Sequence, residues 1–340
     1  MMNRVLTHSA VAAVAIALLH GWSGQAPAAP LVDIATVEIG DAGNSADTTG
    51  LGSVSVDYYM STYEVTIAQY ASFLNAVATE SDTFDLYNTS MASNAAIAGI
   101  SRTGSGSVGD PFSYGTIGDA NRPITYVSWN DAARFANWVN NGATLGGDTE
   151  SGAYDMSSST PTREAEATWW IPGVDEWYKA AYYDEANSVY SSYPTASDAA
   201  PTAGNVSTSQ TSGTKYANFD NGFNTAPDTI SPAGTFSESA SFYGTFDQGG
   251  NVEEWTENTS GSDRTNRGGS WFDSDADALE STFPTGTASP LDESQTLGFR
   301  LASSTGIVPE PSAALLLLLA ACATLFLMRR RRSAAPSRSH

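Results

Sequence analysis

Between residues 31 and 308 the chain has no cysteine and no histidine: its one Cys is Cys322, and its three His are His8, His20 and His340. Disulfide scaffolds, Cys/His zinc sites, Ser-His-Asp and Cys-His nucleophile systems and histidine-ligated iron or copper are thereby excluded for this segment. Only oxygen is left to hold a metal, which suits calcium or magnesium. With 41% apolar residues in a 340-residue chain, burial alone can still build a globular core.

Both ends read as processing segments. Arg4 precedes an apolar run at 10–19, and Ala26-Pro27-Ala28 offers the small-x-small pattern of a signal-peptidase site, so residues 1–28 read as a signal peptide. At the other end, Val308-Pro309-Glu310-Pro311-Ser312 leads into the apolar run 313–328, followed at once by four arginines, 329–332. Such a run spans roughly 24 Å as a helix, a little short of a ~30 Å hydrocarbon core, and the flanking arginines reach the headgroups. A basic cluster stays cytoplasmic, which places the preceding domain outside. This tripartite tail resembles the PEP-CTERM sorting signal of exopolysaccharide-producing Gram-negative bacteria. The resemblance implies a membrane-embedded cysteine protease, the exosortase, as a processing partner; a plain tail anchor is the simpler alternative.

The exported segment 31–308 carries 9 basic side chains against 36 acidic ones, a formal −27. So negative a field repels nucleic acid and anionic lipid and attracts divalent cations or basic partners. Nucleic-acid binding is therefore excluded as a function class.

Three short helices are expected. Thr66-Ile67-Ala68-Gln69 has the capping-box pattern, with Val65, Ala68, Phe73, Leu74 and Val77 at helical spacing. Ser128-Trp129-Asn130-Asp131 opens a second, with Ala132, Phe135, Ala136 and Val139 on its apolar side. A third is expected to start at Pro172, with Asp175 and Glu176 in its first turn. The Gly/Ser/Thr-rich stretches 89–118, 142–160 and 184–245 read as loops, and no internal repeat is evident. So irregular a backbone needs turns, side chains or bound ions to satisfy its polar groups.

Six blocks, taken in order, carry a family resemblance: YYMSTYEVTIAQYASFLNAV (58–77), RPITYVSWNDAARFANWVN (122–140), WWIPGVDEWYKAAYYD (169–184), GTFDQGGNVEEW (244–255), NRGGSW (266–271) and LGFRLA (297–302). They resemble the sulfatase-modifying-factor family, or formylglycine-generating-enzyme domain, whose relatives include the ergothioneine-biosynthesis sulfoxide synthases. The resemblance implies an α+β, loop-rich, C-type-lectin-like fold over 31–308. It also implies a structural calcium at the Gly-Asn-Val-x-Glu-Trp block, held by side-chain oxygens of Asn251 and Glu254 and carbonyls of Gly250 and Val252. A second calcium is implied near Asn218 and Asp220, where an Asx-rich turn without metal is the alternative. Trp255 reads as core, and Glu253 stands where the family usually has a large apolar or aromatic residue.

The resemblance breaks at the chemistry. Oxidase members hold copper through two cysteines, three and eight residues beyond the Ser of the Gly-Gly-Ser block. Counted from Ser270, those places hold Asp273 and Ala278, which supply no thiolate. The iron-dependent relatives need histidines that this segment lacks. Neither copper nor iron is expected, and no catalytic residue is assigned. Adjacent Glu253 and Glu254 would point to opposite faces of a strand, which argues against a paired-carboxylate glycosidase. Asp273, Asp275 and Asp277 imitate an EF-hand start, but Ala278 and Pro284 stand where Gly and Glu are required.

Three readings follow. One is a non-catalytic, calcium-stabilised, lectin-like module binding polysaccharide or a protein partner; Trp169, Trp170, Tyr182, Tyr183, Tyr190 and Tyr193 are available to stack on sugar rings, with buried core the expected place of at least half of them. The others are a divergent oxidoreductase using oxygen ligands such as Asp273, Asp275 and Asp277, and a structural component of the extracellular matrix.

Overall fold

The computed structural model describes residues 30–219 and 229–306. The signal and tail segments therefore lie outside the described residues, as does Asp220. Among the described residues, no helix is long and apolar enough to cross a membrane. They form an α+β fold of four short α-helices, α1 (Ile67–Val77), α2 (Ser90–Ser93), α3 (Trp129–Asn140) and α4 (Val174–Tyr182), among small sheets and long connections.

Both capping boxes form. Thr66 and Gln69 exchange side-chain and backbone bonds at the start of α1, and Ser128 and Asp131 do the same for α3. Each satisfies two N–H groups that an α-helix leaves orphaned. Helix α4 begins two residues later than Pro172. Gly173 is its cap, because Glu176 reaches back to accept from the Gly173 N–H at 2.7 Å, while the Val174 N–H donates to Asn258 at 2.7 Å. The 89–118 stretch is more ordered than its composition suggests. It holds α2 and a hairpin of Ile100–Thr103 with Ser113–Thr116, elements too short to show a period.

The core is aromatic and sits between α1 and α3. Tyr70, Phe73, Phe135 and Trp138 meet with ring centroids 5.3–6.1 Å apart, and Phe299 closes edge-on to Phe135 at 5.4 Å. Each such ring fully buried contributes about 1.5–3 kcal/mol. Loops are tied in by buried side chains: the Asn137 amide donates to Thr149 O and Tyr154 O and accepts from Tyr154 N–H, pinning the 142–160 connection to α3.

Two four-stranded sheets organise the rest. In the first, Thr36–Ile39, Tyr58–Ser61, Ala302–Ser303 and Trp169–Trp170 run side by side, all antiparallel, so the two ends of the domain close on each other. In the second the order is Gly286–Ala288, Asp263–Arg267, Glu253–Ser260 and Leu297–Gly298, the last pair parallel. The Gly-Asn-Val-Glu-Glu-Trp block thus enters the central part of this sheet.

Candidate functional site

Gly250 and Asn251 both take left-handed backbone, with φ of 79° and 62°. Gly250 must be glycine, because a Cβ there would lie 2.5 Å from the Asn218 carbonyl. The turn aims the Asn251 side chain inward. Its Oδ1 accepts from Asn218 Nδ2 at 3.1 Å and from Ser231 N–H at 3.0 Å, and its Nδ2 donates to Glu64 Oε1 at 3.1 Å. Asn218, assigned from sequence to a separate second site, is thus brought into the same knot, and Asn251 N–H also donates to its carbonyl at 2.7 Å.

Glu254 is fully buried beside fully buried Arg300. The guanidinium grips it with two bonds, Nε to Oε2 at 2.6 Å and a terminal nitrogen to Oε1 at 2.7 Å, and Trp177 Nε1 donates to Oε2 at 2.7 Å. Arg300 also donates to the carbonyls of Ser61 and Phe246. This donor set does not fit a calcium ion as it stands. The Glu254 charge is already neutralised by a guanidinium, and the Asn251 carbonyl oxygen already accepts two hydrogen bonds. Gly250 and Val252 offer only main-chain oxygens. Two more carboxyls face this centre: burial drives Glu64 well above the usual carboxylate range, the nearby Asp247 charge adding to it, and burial pushes Asp247 up to about 6. Glu64 Oε2 has no hydrogen-bond partner among the described residues.

Glu253 points the other way, as alternation along a strand requires. Trp255, two residues on, is fully buried and donates to the Val127 carbonyl, so it is core. Glu253 lies where two clefts meet. The narrower, about 160 Å³, includes Arg267, Ser270, Phe272, Asp273, Ala278 and Phe283 in its wall. The wider, about 550 Å³, includes Tyr126, Asn266, Asp292 and Glu293, and Glu253, Gly286 and Thr296 line both. Burial, then the Asp273 charge, pushes the Glu253 carboxyl up to about 7.

Asp273 and Ala278, at the positions where the oxidase members carry their cysteines, share one cleft. Asp273 Oδ2 accepts from the Ser270 N–H at 2.6 Å and hydroxyl at 3.1 Å. Asp275 caps the 3-10 turn Ala276–Leu279 instead of turning toward Asp273. Among the described residues no group of three or more His, Cys, Asp or Glu side chains is arranged to hold a metal ion.

The aromatic set proposed from sequence for sugar stacking is largely core: Trp169, Trp170, Tyr182, Tyr183 and Tyr193 are all buried, and Tyr190 is half-buried with its hydroxyl bonded to Asn44, Ser45 and Gly52. Exposed rings lie instead at the narrow cleft, Phe272 at 45% and Phe283 at 46%. Sequence reasoning missed Arg300, Asn266 and Glu64. A lone arginine between Phe299 and Leu301 was the available signal for a buried ion pair; nothing in the sequence singled out Asn266.

Residues 31–305 match the Sulfatase-modifying factor enzyme 1-like domain family. No curated protein matches the chain. Among solved structures, CarF is 16% identical, covering 80% of this chain and 99% of its own, with a TM-score of 0.50, which supports the fold. Treponema denticola variable protein 1 is 19% identical over 81% of this chain and 96% of its own, TM-score 0.48. PvdO from Pseudomonas aeruginosa is 15% identical over 81% and 93%, TM-score 0.41. With the family match spanning most of the chain, and the fold agreeing with it, the chain belongs to the Sulfatase-modifying factor enzyme 1-like domain family.

Proposed function

We propose that this domain is a non-catalytic recognition module, exported by its leader, sorted through its tail by an exosortase, and binding polysaccharide or a protein partner outside the cell. One observation carries the reading. The cleft beyond the Gly-Gly-Ser turn presents Asp273 and Ala278, an anchored carboxylate and a methyl group, where thiolate chemistry would need two sulfurs. The same cleft opens beside exposed Phe272 and Phe283 and joins a wider one, a shape suited to holding a ligand.

The reading is tested with the full chain in three assays. A cysteine-containing peptide incubated with the protein, copper and oxygen should keep its thiol, while a glycan array, with a protein-partner pull-down alongside it, should return saturable binding that a Phe272→Ala/Phe283→Ala variant loses. Conversion of the peptide, or absence of saturable binding in both binding assays, would refute it.

A further inference from the structure

The junction of the two clefts holds an unusual pairing of acceptors. Gly286 pairs with Asn266 across the antiparallel ladder, and Asn266 pairs with Trp255, so Glu253 and Asn266 belong to the same face of the sheet. Their oxygens converge over Gly286: a Cβ built there would sit 1.9 Å from Asn266 Oδ1 and 2.9 Å from Glu253 Oε1. Only glycine at 286 lets the Asn266 amide lie this close against the backbone. Asn266 is 3% exposed, and its Oδ1 has no hydrogen-bond partner among the described residues. A buried amide oxygen without a donor costs about 1–3 kcal/mol. Asn266 Oδ1, an acceptor without a donor among the described residues, thus lies beside a second acceptor that can carry charge, the Glu253 carboxyl.

We propose that this junction is a binding site for a primary ammonium group, with Glu253 as its counter-ion and Asn266 Oδ1 as its second acceptor. This deepens the recognition reading above and rests on it. An ammonium brings three donors and no acceptor, which suits an unpartnered amide oxygen beside a carboxyl. The surrounding charge agrees: Asp273 lines the narrow cleft and Asp292 and Glu293 the wide one, against one cation among the described lining residues, Arg267, whose terminal nitrogens donate to Ser281 O, Phe283 O and the Thr285 hydroxyl while its buried Nε has no partner among the described residues. A hard divalent cation is the poorer occupant, since it wants six or more oxygens in a shell.

The experiment is calorimetric titration of the full chain with glucosamine, N-acetylglucosamine, glucose and methylammonium. The three sugars share a ring and differ in whether C2 carries an ammonium, an amide or a hydroxyl. Glucosamine and methylammonium should bind, and the other two should not. Glu253→Gln should weaken both amines on the order of thirtyfold, the cost of losing a charged partner, while melting at or above the wild-type temperature, which shows that it is folded. Equal binding of all three sugars would overturn the ammonium assignment and leave the recognition module standing. No amine binding would overturn the assignment too; the Asn266 amide would then be turned with Nδ2 toward Glu253, as its two ends allow. Amine binding that Glu253→Gln leaves unchanged, or magnesium binding in place of amines, would also overturn it.

Discussion

Removing Arg300 should cost far more than removing its partner. Arg300→Met leaves Glu254 fully buried with Glu64 and Asp247 nearby and no cation among them. Breaking a buried pair in this direction costs about 3–5 kcal/mol. At 2–4 °C per kcal/mol for a large domain, the melting temperature should fall by roughly 6–20 °C. Glu254→Gln should cost less. Arg300 then keeps Asp247 close by, whose carboxyl, pushed up to about 6 by burial, is largely ionised at neutral pH. The double variant should recover part of the Arg300→Met loss, because removing both charges leaves neither stranded. Denaturant unfolding of the four proteins closes the cycle. A loss below about 1 kcal/mol for Arg300→Met, or strictly additive losses in the double variant, would refute the claim that this pair neutralises the centre of the fold.

Three further outcomes are expected. Asp131 is pushed up to about 7, Asp247 to about 6 and Glu253 to about 7, each chiefly by burial. Their folded pKa values exceed the unfolded ones, so the native state binds more protons between about pH 4 and 7 and stability falls as pH rises through that window. Melting should be higher at pH 5.5 than at pH 7.5, and Glu253→Gln should reduce the slope by up to about 1.4 kcal/mol per pH unit; a flat profile would contradict this. Gly250→Ala, forcing a Cβ to 2.5 Å from the Asn218 carbonyl at a φ of 79°, should destabilise by about 1–3 kcal/mol in the same unfolding assay. Gly286→Ala should abolish amine binding in calorimetry by driving the Asn266 amide away from Glu253, since its Cβ would lie 1.9 Å from Asn266 Oδ1, and retained binding would show the ligand sits elsewhere.

What the sequence made legible was local. Thr66/Gln69 and Ser128/Asp131 announce their helices because a cap is a contact between neighbours, and the six blocks announce the family because each is contiguous. Strand alternation separated Glu253 from Glu254 in advance. What stayed hidden depends on residues far apart in the chain. Arg300 meets Glu254 across 46 positions, and Asn251 meets Glu64 across 187, so the neutralisation of the Gly-Asn-Val-Glu-Glu-Trp turn by a guanidinium cannot be read from the turn itself. Asn218 and Asn251 looked like members of two sites because 33 residues separate them; folding puts them in contact. The aromatic run Trp169–Tyr193 could be divided only in part for a related reason: at least half was expected in the core, five of the six rings are buried there, and amphipathic rings suit a core and a sugar equally until packing tells them apart.

The most direct test of the account is elemental analysis of the purified full chain after exhaustive dialysis, with thermal melting of the same sample with and without chelator. No stoichiometric copper, iron, manganese or calcium is expected, and chelator should leave the melting temperature unchanged, since Arg300 already neutralises Glu254. One calcium per chain with a fall in melting on chelation would show that Asn251 and Glu254 rearrange to hold an ion. A tightly held transition metal would contradict the account more deeply, placing an oxygen-ligated active site in a domain read here as a recognition module.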